Sequence, residues 1–335
     1  MRKSCQFFIL TSVTLLLFIS CNGQNNRKAT AQLKLTADLK SSLASNLISQ
    51  LNSNYIFVNT IPGIKSSIEK FINSNSGKKI TDPGVFADSI TSILQQIASD
   101  KHLGLKYKPG YSITEGPTPR PGMMPKEPEN NEGRPPMQER RNEPVEYRML
   151  NDSIGLLRID IFDDLEIFTE KLDEAFSLFA NASTIIIDIR NCGGGSPKAE
   201  NYLISHFFKT ATQFSSIFIR KGDNETEEKF IALSTPQKYL ETKVYILTGE
   251  KTFSSAENFA YDMQSLKRAK VVGVKTKGGA NPGREFWVSN NFFAFIPTGR
   301  SYSYQTKSNW EGVGILPDFL TDKDALEEAL RIIKN

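Results

Sequence analysis

Histidine and cysteine are scarce in this chain of 335 residues, which holds only His102 and His206 of the first and Cys5, Cys21 and Cys192 of the second. With so few imidazoles, and no thiol pair or carboxylate cluster at ligand spacing, neither a metal centre nor another cofactor is expected. No basic stripe with interleaved aromatics occurs. The formal charge of +4 is mild and spread along the chain, so nucleic acid is not an expected partner. The apolar run Phe7–Ile19 is too short for a comfortable membrane span. No internal repeat is present.

What is there begins with a leader. Arg2 and Lys3 form a positive n-region, and Phe7–Ile19 follows as the apolar h-region of a signal peptide over residues 1–21. It ends Phe18-Ile-Ser-Cys21, where small Ser20 before Cys21 resembles the lipobox of bacterial lipoproteins. The resemblance implies lipidation at Cys21, a membrane partner through that anchor, and a place in the cell envelope, in the periplasm or at the outer membrane. The alternative is an ordinary cleaved signal peptide. Loss of Arg2 and Lys3 lowers the formal charge to +2, and Cys192 alone stays free, so no intramolecular disulfide is available.

Three further regions follow. Residues 22–108 read as a polar tether and a small helical subdomain ending in a strand. Leu39, Leu43, Leu47 and Leu51 mark one amphipathic helix, Ile64, Ile68, Phe71 and Ile72 a second, and Asp82-Pro83 opens a third with Phe86, Ile90, Ile93 and Leu94 on one face. Asp100–Tyr107 reads as a turn into a strand. Residues 109–144 hold nine of the sixteen prolines and almost no aliphatic residues, so an extended loop or linker is expected. A polyproline docking motif is the less favoured reading of that segment. Residues 145–335 alternate strand and helix patterns with short connections, as an α/β domain does.

Two segments carry the chemistry. Thr184-Ile-Ile-Ile-Asp-Ile-Arg-Asn-Cys-Gly-Gly-Gly195 reads as a buried strand ending in a glycine turn before a helix. Glycines let backbone N–H groups approach a bound group, and a helix N-terminus favours negative charge. Such turns also serve packing alone. Cys192 abuts the glycines, but no base stands at a matching position, so it reads as a small residue filling the turn. Thr252-Phe-Ser-Ser-Ala-Glu257 puts two serines where a strand gives way to a helix. One of them caps that helix, or is a nucleophile whose neighbour's N–H joins an oxyanion hole.

Taken in order, Asp188-x-Arg190 with Gly193-Gly-Gly195, Phe253-Ser-Ser-Ala-Glu-Asn-Phe-Ala260, Gly273-x-x-Thr276-x-Gly-Gly279 and Trp310-Glu-Gly-Val-Gly314 with Pro317-Asp318 are similar to the S41 serine peptidases. That family includes the C-terminal processing proteases, the tricorn core protease and the interphotoreceptor retinoid-binding protein repeats. The resemblance runs from about Leu39 onward and implies a crotonase/ClpP-like fold of stacked ββα units. It also implies hydrolysis of peptide bonds in short or unfolded peptide substrates. It assigns the nucleophile to Ser254, with Ser255 as the competing hydroxyl, and the oxyanion hole to the backbone of Ser255 and of Gly193 or Gly194. The lysine that serves as base in the C-terminal processing branch falls here on Gly279, and Lys275 and Lys277 do not occupy that slot. Asp100-Lys-His102 instead resembles the Asp-x-His segment of the tricorn and retinoid-binding branches, which makes His102 the general base. Glu311 would orient His102 directly or through water, although Lys101 stands where the tricorn branch has a serine. His206 lies on an apolar helix face and reads as structural. No PDZ pattern occurs between the helical and catalytic parts. The rival reading is a lipoprotein that binds peptide or an apolar ligand on the same scaffold without turnover.

Overall fold

In the computed structural model, which describes residues 33–110 and 144–335, the three helical periodicities of the first third become helices, and a short one that the pattern does not announce forms between the second and third. They are α1 (Ala37–Asn54), α2 (Ile61–Asn73), the short α3 (Asn75–Lys79) and α4 (Pro83–Ala98). Thr36 Oγ1 caps α1 and Asp82 caps α4, each accepting a backbone N–H three residues on. Leu43, Leu47 and Leu51 meet Ile64 and Ile68 and the Phe86–Ile90–Leu94 stripe in a buried seam, as their spacing predicts. The signal and lipobox residues, and most of the proline-rich stretch, lie outside the described residues.

After α4 the chain turns at Ser99, whose φ is +52°, and enters β1 (Gly104–Tyr107). The second segment continues with β2 (Val145–Asn151), β3 (Ile154–Ile159), α5 (Leu165–Leu178), β4 (Thr184–Asp188), α6 (Pro197–Ser205), β5 (Gln213–Lys221) and β6 (Asn224–Ile231). Then come β7 (Lys243–Thr248), α7 (Ser255–Ser265), β8 (Lys270–Gly273), β9 (Gly283–Ser289), β10 (Phe292–Pro297), β11 (Gly299–Ser303), β12 (Phe319–Leu320) and α8 (Ala325–Lys334).

A six-stranded sheet in the order β12-β8-β7-β4-β3-β2 forms the centre, parallel except for the β2–β3 hairpin. The run Thr184–Asp188 is buried along its whole length, which is why it reads as continuous rather than alternating. Its side chains still divide by face. Ile185 and Ile187 pack under α5, α6 and α7 with Phe176, Leu203 and Phe259, while Ile186 faces Ala325 and Ala329 of α8. The fold is thus mixed α/β around a central sheet.

Two three-stranded antiparallel sheets flank it, β1-β10-β9 and β11-β5-β6. The pair β9–β10 is the antiparallel pattern expected over Phe286–Ile296. The β5–β6 hairpin is not legible in the sequence, because β6 reads Asn-Glu-Thr-Glu-Glu-Lys-Phe-Ile and buries only Phe230. The strand expected at Asp100–Tyr107 forms, and its partner is β10, with Gly104 opposite Phe295. The turn before β1 lies beside the turn that follows β7, an interior strand of the central sheet. No helix among the described residues is long and apolar enough to cross a membrane.

Candidate active site

Parallel strands β4 and β7 are neighbours in register, Asp188 opposite Leu247, so the turns that follow them emerge side by side. The turn after β7 is held by Thr252, whose hydroxyl donates to the Ile189 carbonyl at 2.8 Å, and by the Phe253 N–H, which donates to the Cys192 carbonyl at 3.1 Å. At its end Ser254 has φ +56°, a left-handed conformation that costs a residue with a Cβ about 1–3 kcal/mol. Glu257 offsets that cost. Its buried carboxylate accepts the Ser254 N–H at 3.0 Å, the Gly278 N–H at 2.6 Å, the Gly279 N–H at 2.8 Å and the Thr276 hydroxyl at 2.5 Å. Burial pushes the Glu257 carboxyl above its ordinary range, and these four donors pull it back. One side chain therefore ties the serine turn to the 276–279 loop.

The glycine turn after β4 closes on the serine. Gly194 has φ +100°, and a Cβ there would lie 2.7 Å from the Ser254 Cβ. The Ser255 hydroxyl donates to the Gly195 carbonyl at 2.9 Å. Among the described residues no backbone carbonyl accepts from the N–H groups of Gly193 or Ser255, while the Gly194 N–H approaches the Cys192 sulfur. Cys192 is buried, its thiol pushed up to about 12 by desolvation, and so it fills the turn as expected.

His102 reaches Ser254 from the turn before β1. Its Nε2 lies 3.1 Å from Ser254 Oγ. Asp100 Oδ1 accepts the His102 N–H at 3.0 Å, while Oδ2 accepts from Tyr55 and Asn281 at 3.2 and 3.1 Å. The imidazole sits between the rings of Phe253 and Phe295, with centroids 4.4 and 5.7 Å away. This apolar setting lowers its pKa to about 4, since burial penalises the imidazolium. Nδ1 is buried without a protein partner. Glu311 makes no direct bond to it, because its oxygens accept the N–H groups of Lys101 and Ala280 at 2.9 and 2.5 Å. One ring nitrogen of His102 and one oxygen each of Asp100 and Glu311 nevertheless lie within 4.8 Å of one another, a grouping that sequence spacing does not reveal. The carboxylate oxygens are already engaged by N–H and O–H donors, which suits an orienting network better than a cation cage. Burial, aided by Asp100, raises the Glu311 carboxyl to about 7.

The sequence model of peptidase family S41 matches residues 153–321 of the chain. The chain belongs to peptidase family S41. A second model, the N-terminal domain of family S41 peptidases in eukaryotic IRBP, matches residues 27–139. Over 149 residues the chain is 31% identical to the probable CtpA-like serine protease of Staphylococcus haemolyticus, a match that covers 42% of this chain and 28% of that protein. The chain thus spans under a third of the length of that curated relative. Among solved structures, a peptidase candidate from Parabacteroides merdae aligns over 88% of this chain and 97% of its own, with TM-score 0.61 and 16% identity. A lipoprotein from Streptococcus agalactiae aligns over 90% and 97%, with TM-score 0.56 and 17% identity. The photosystem II D1 C-terminal processing protease aligns over 88% and 97%, with TM-score 0.55 and 15% identity. At these identities the likeness is one of fold.

In this S41 chain the site explains its own departure from the lysine-bearing pattern. A Cβ at Gly279 would stand 2.2 Å from the Phe253 ring and 2.7 Å from His102 Cε1, so the imidazole and a side chain at 279 exclude each other. Lys275 and Lys277 are exposed, and the Lys277 ammonium rests over the Phe253 ring at 5.2 Å. His206 lies far from this chemistry, packed on Phe176 and hydrogen-bonded through Nδ1 to the Gln237 carbonyl. Sequence reasoning missed Glu257 as a clamp, although it stands in the quoted serine segment. It also missed Tyr55, Asn281 and the ring of Phe253, for which only tertiary contact gives a signal.

Proposed function

We propose that the chain is a serine peptidase in which Ser254 is the nucleophile and His102 the general base. The observation that carries this reading is the 3.1 Å separation of Nε2 and Oγ, bridged by residues 152 positions apart. A neutral imidazole accepts the hydroxyl proton as Oγ attacks the scissile carbonyl. The N–H groups of Ser255 and of Gly193 or Gly194 receive the developing oxyanion, which is where preorganised donors act most strongly. The imidazolium returns its proton to the leaving amine, and the same nitrogen then activates the water that releases the acyl group. Glu311 acts as a positioning residue that favours the imidazolium from the Nδ1 side, either directly after a small shift or through water. The substrate is a peptide or an unfolded protein.

The proposal extends to place. Cys21 carries the lipid anchor of a cell-envelope protein, in keeping with the lipobox-like end of the leader and a lipoprotein among the structural relatives. Incorporation of a clickable fatty acid by the wild type but not by Cys21→Ser is the expected result, and equal incorporation contradicts it. For the activity, digestion of a peptide library by the wild type and by Ser254→Ala is decisive. Turnover by the wild type alone supports the reading. Binding without turnover by both supports instead the non-catalytic receptor, which Lys101 favours by standing where the tricorn branch has a serine.

A further inference from the structure

The His102 imidazole sits between two aromatic rings, and among the described residues no group bonds its Nδ1. Stacking resists tilting of a ring but not its sliding in plane. The 3.1 Å approach of Nε2 to Ser254 Oγ therefore depends on the backbone that carries the ring. The chain leaves α4 at the left-handed Ser99 and joins β1 only at Gly104, so side chains hold the residues between. Glu311 accepts the Lys101 N–H at 2.9 Å, and Asp100 Oδ1 accepts the His102 N–H at 3.0 Å. The Leu103 N–H also bears on Asp100.

Asp100 is itself gripped from two distant places. Its Oδ2 accepts from the Tyr55 hydroxyl at 3.2 Å and from the Asn281 amide at 3.1 Å. Tyr55 and Asp100 are 0% exposed and Asn281 is 1% exposed, so bulk water does not compete for these bonds. Burial raises the Tyr55 phenol above its ordinary range, which keeps it protonated and a donor to the carboxylate. Tyr55 is fixed in turn. It closes α1 by donating its N–H to the Leu51 carbonyl at 2.9 Å, and its own carbonyl accepts from Arg220 of β5 at 2.8 Å. The next N–H, that of Ile56, donates to the Pro297 carbonyl at the end of β10 at 3.0 Å. A side-chain turn at residue 100 needs only the Oδ1 bond, which a serine or asparagine supplies without burying a carboxyl. The second oxygen, with two donors brought from 45 and 181 residues away, does something more.

We infer that Tyr55 and Asn281 are positioning residues for the candidate base: by fixing the Asp100 carboxylate they hold the His102 turn where Nε2 meets Ser254 Oγ. The end of helix α1 then sets the rate of the chemical step rather than the affinity for substrate. The inference rests on the assignment of Ser254 and His102 as the reacting pair.

The test is the rate of adduct formation with a serine-reactive phosphonate in the wild type, Tyr55→Phe and Asn281→Ala, each also made in the His102→Ala background. Tyr55→Phe removes one hydroxyl and keeps the ring, and Asn281→Ala spares the Asn281 N–H that serves Glu311. The two substitutions lie on separate segments, so failure of one to fold leaves the other to decide. Each should slow the limiting rate about tenfold at an unchanged half-saturating concentration. In the His102→Ala background each should change the rate by less than about twofold, because no ring is left to misplace. Unchanged limiting rates in the wild-type background overturn the inference. So does slowing of equal size in both backgrounds, which a general loosening of the structure would produce, and so does an effect confined to half-saturation. A wild type that labels no faster than His102→Ala, or labels elsewhere than Ser254, removes the reacting pair and the inference with it. Fast labelling of Ser254 that depends on His102 but not on Tyr55 or Asn281 strikes the inference alone.

Discussion

At the scale of single residues, the site is set by what surrounds one imidazole. His102 lies between two aromatic rings, and its pKa of about 4 follows from desolvation. A base acts only when unprotonated, so activity is present above that pKa and is lost as pH falls through it. The acid limb of kcat/KM should therefore lie well below the ordinary histidine value of about 6.5, toward 4. A pH–rate profile checks this, and a midpoint at or above the ordinary value contradicts it. Gly279 gives a second prediction at this scale. A methyl group there cannot coexist with His102 and Phe253 as they stand, so Gly279→Ala should abolish most turnover and cost about 1–3 kcal/mol in stability. Unchanged kinetics and melting in that variant would show that the imidazole is not where turnover needs it. The serines and glycines of this site are legible in sequence because they sit in two short segments. The Asp100 network is not, because its partners Tyr55 and Asn281 stand 45 and 181 residues away.

At the scale of elements, the site is a junction of three turns, after β4, after β7 and before β1. Glu257 locks two of its loops together through four donors. In Glu257→Gln the amide nitrogen faces backbone N–H groups that need an acceptor, and each buried donor left unpaired costs about 1–3 kcal/mol. Thermal melts should show a clear loss of stability, and activity should fall with it because the φ +56° turn at Ser254 is no longer tied. A fully stable and active variant would contradict the clamp. Helices with regular apolar stripes and the strands β4, β7 and β8 are legible from periodicity, since their burial follows period 3.6 or a continuous apolar run. The β5–β6 hairpin is hidden because four of the seven exposed positions of β6 are charged and the strand is fixed by pairing rather than by burial.

At the scale of the whole molecule, the central sheet and the β1–β10 pairing bring a helical N-terminal region and an α/β region to one site. Burial also leaves a pH signature on stability. Asp262 has a folded pKa of about 7 against an unfolded value of 3.8, so the folded chain holds a proton that the unfolded chain releases between those limits. The stability contributed by this group is present below about 4 and is lost as pH rises through about 7. Asp262→Asn should therefore gain in melting temperature relative to the wild type as pH rises from 5 to 8, and a constant or shrinking difference contradicts this. Intact-mass analysis after exposure to a serine-reactive phosphonate tests the Ser254–His102 pair most directly. The wild type should gain one adduct, mapped to the peptide containing Ser254, His102→Ala should gain it far more slowly, and Ser254→Ala should gain none. An adduct of equal extent in all three proteins would contradict the claim that Ser254 and His102 form one catalytic pair.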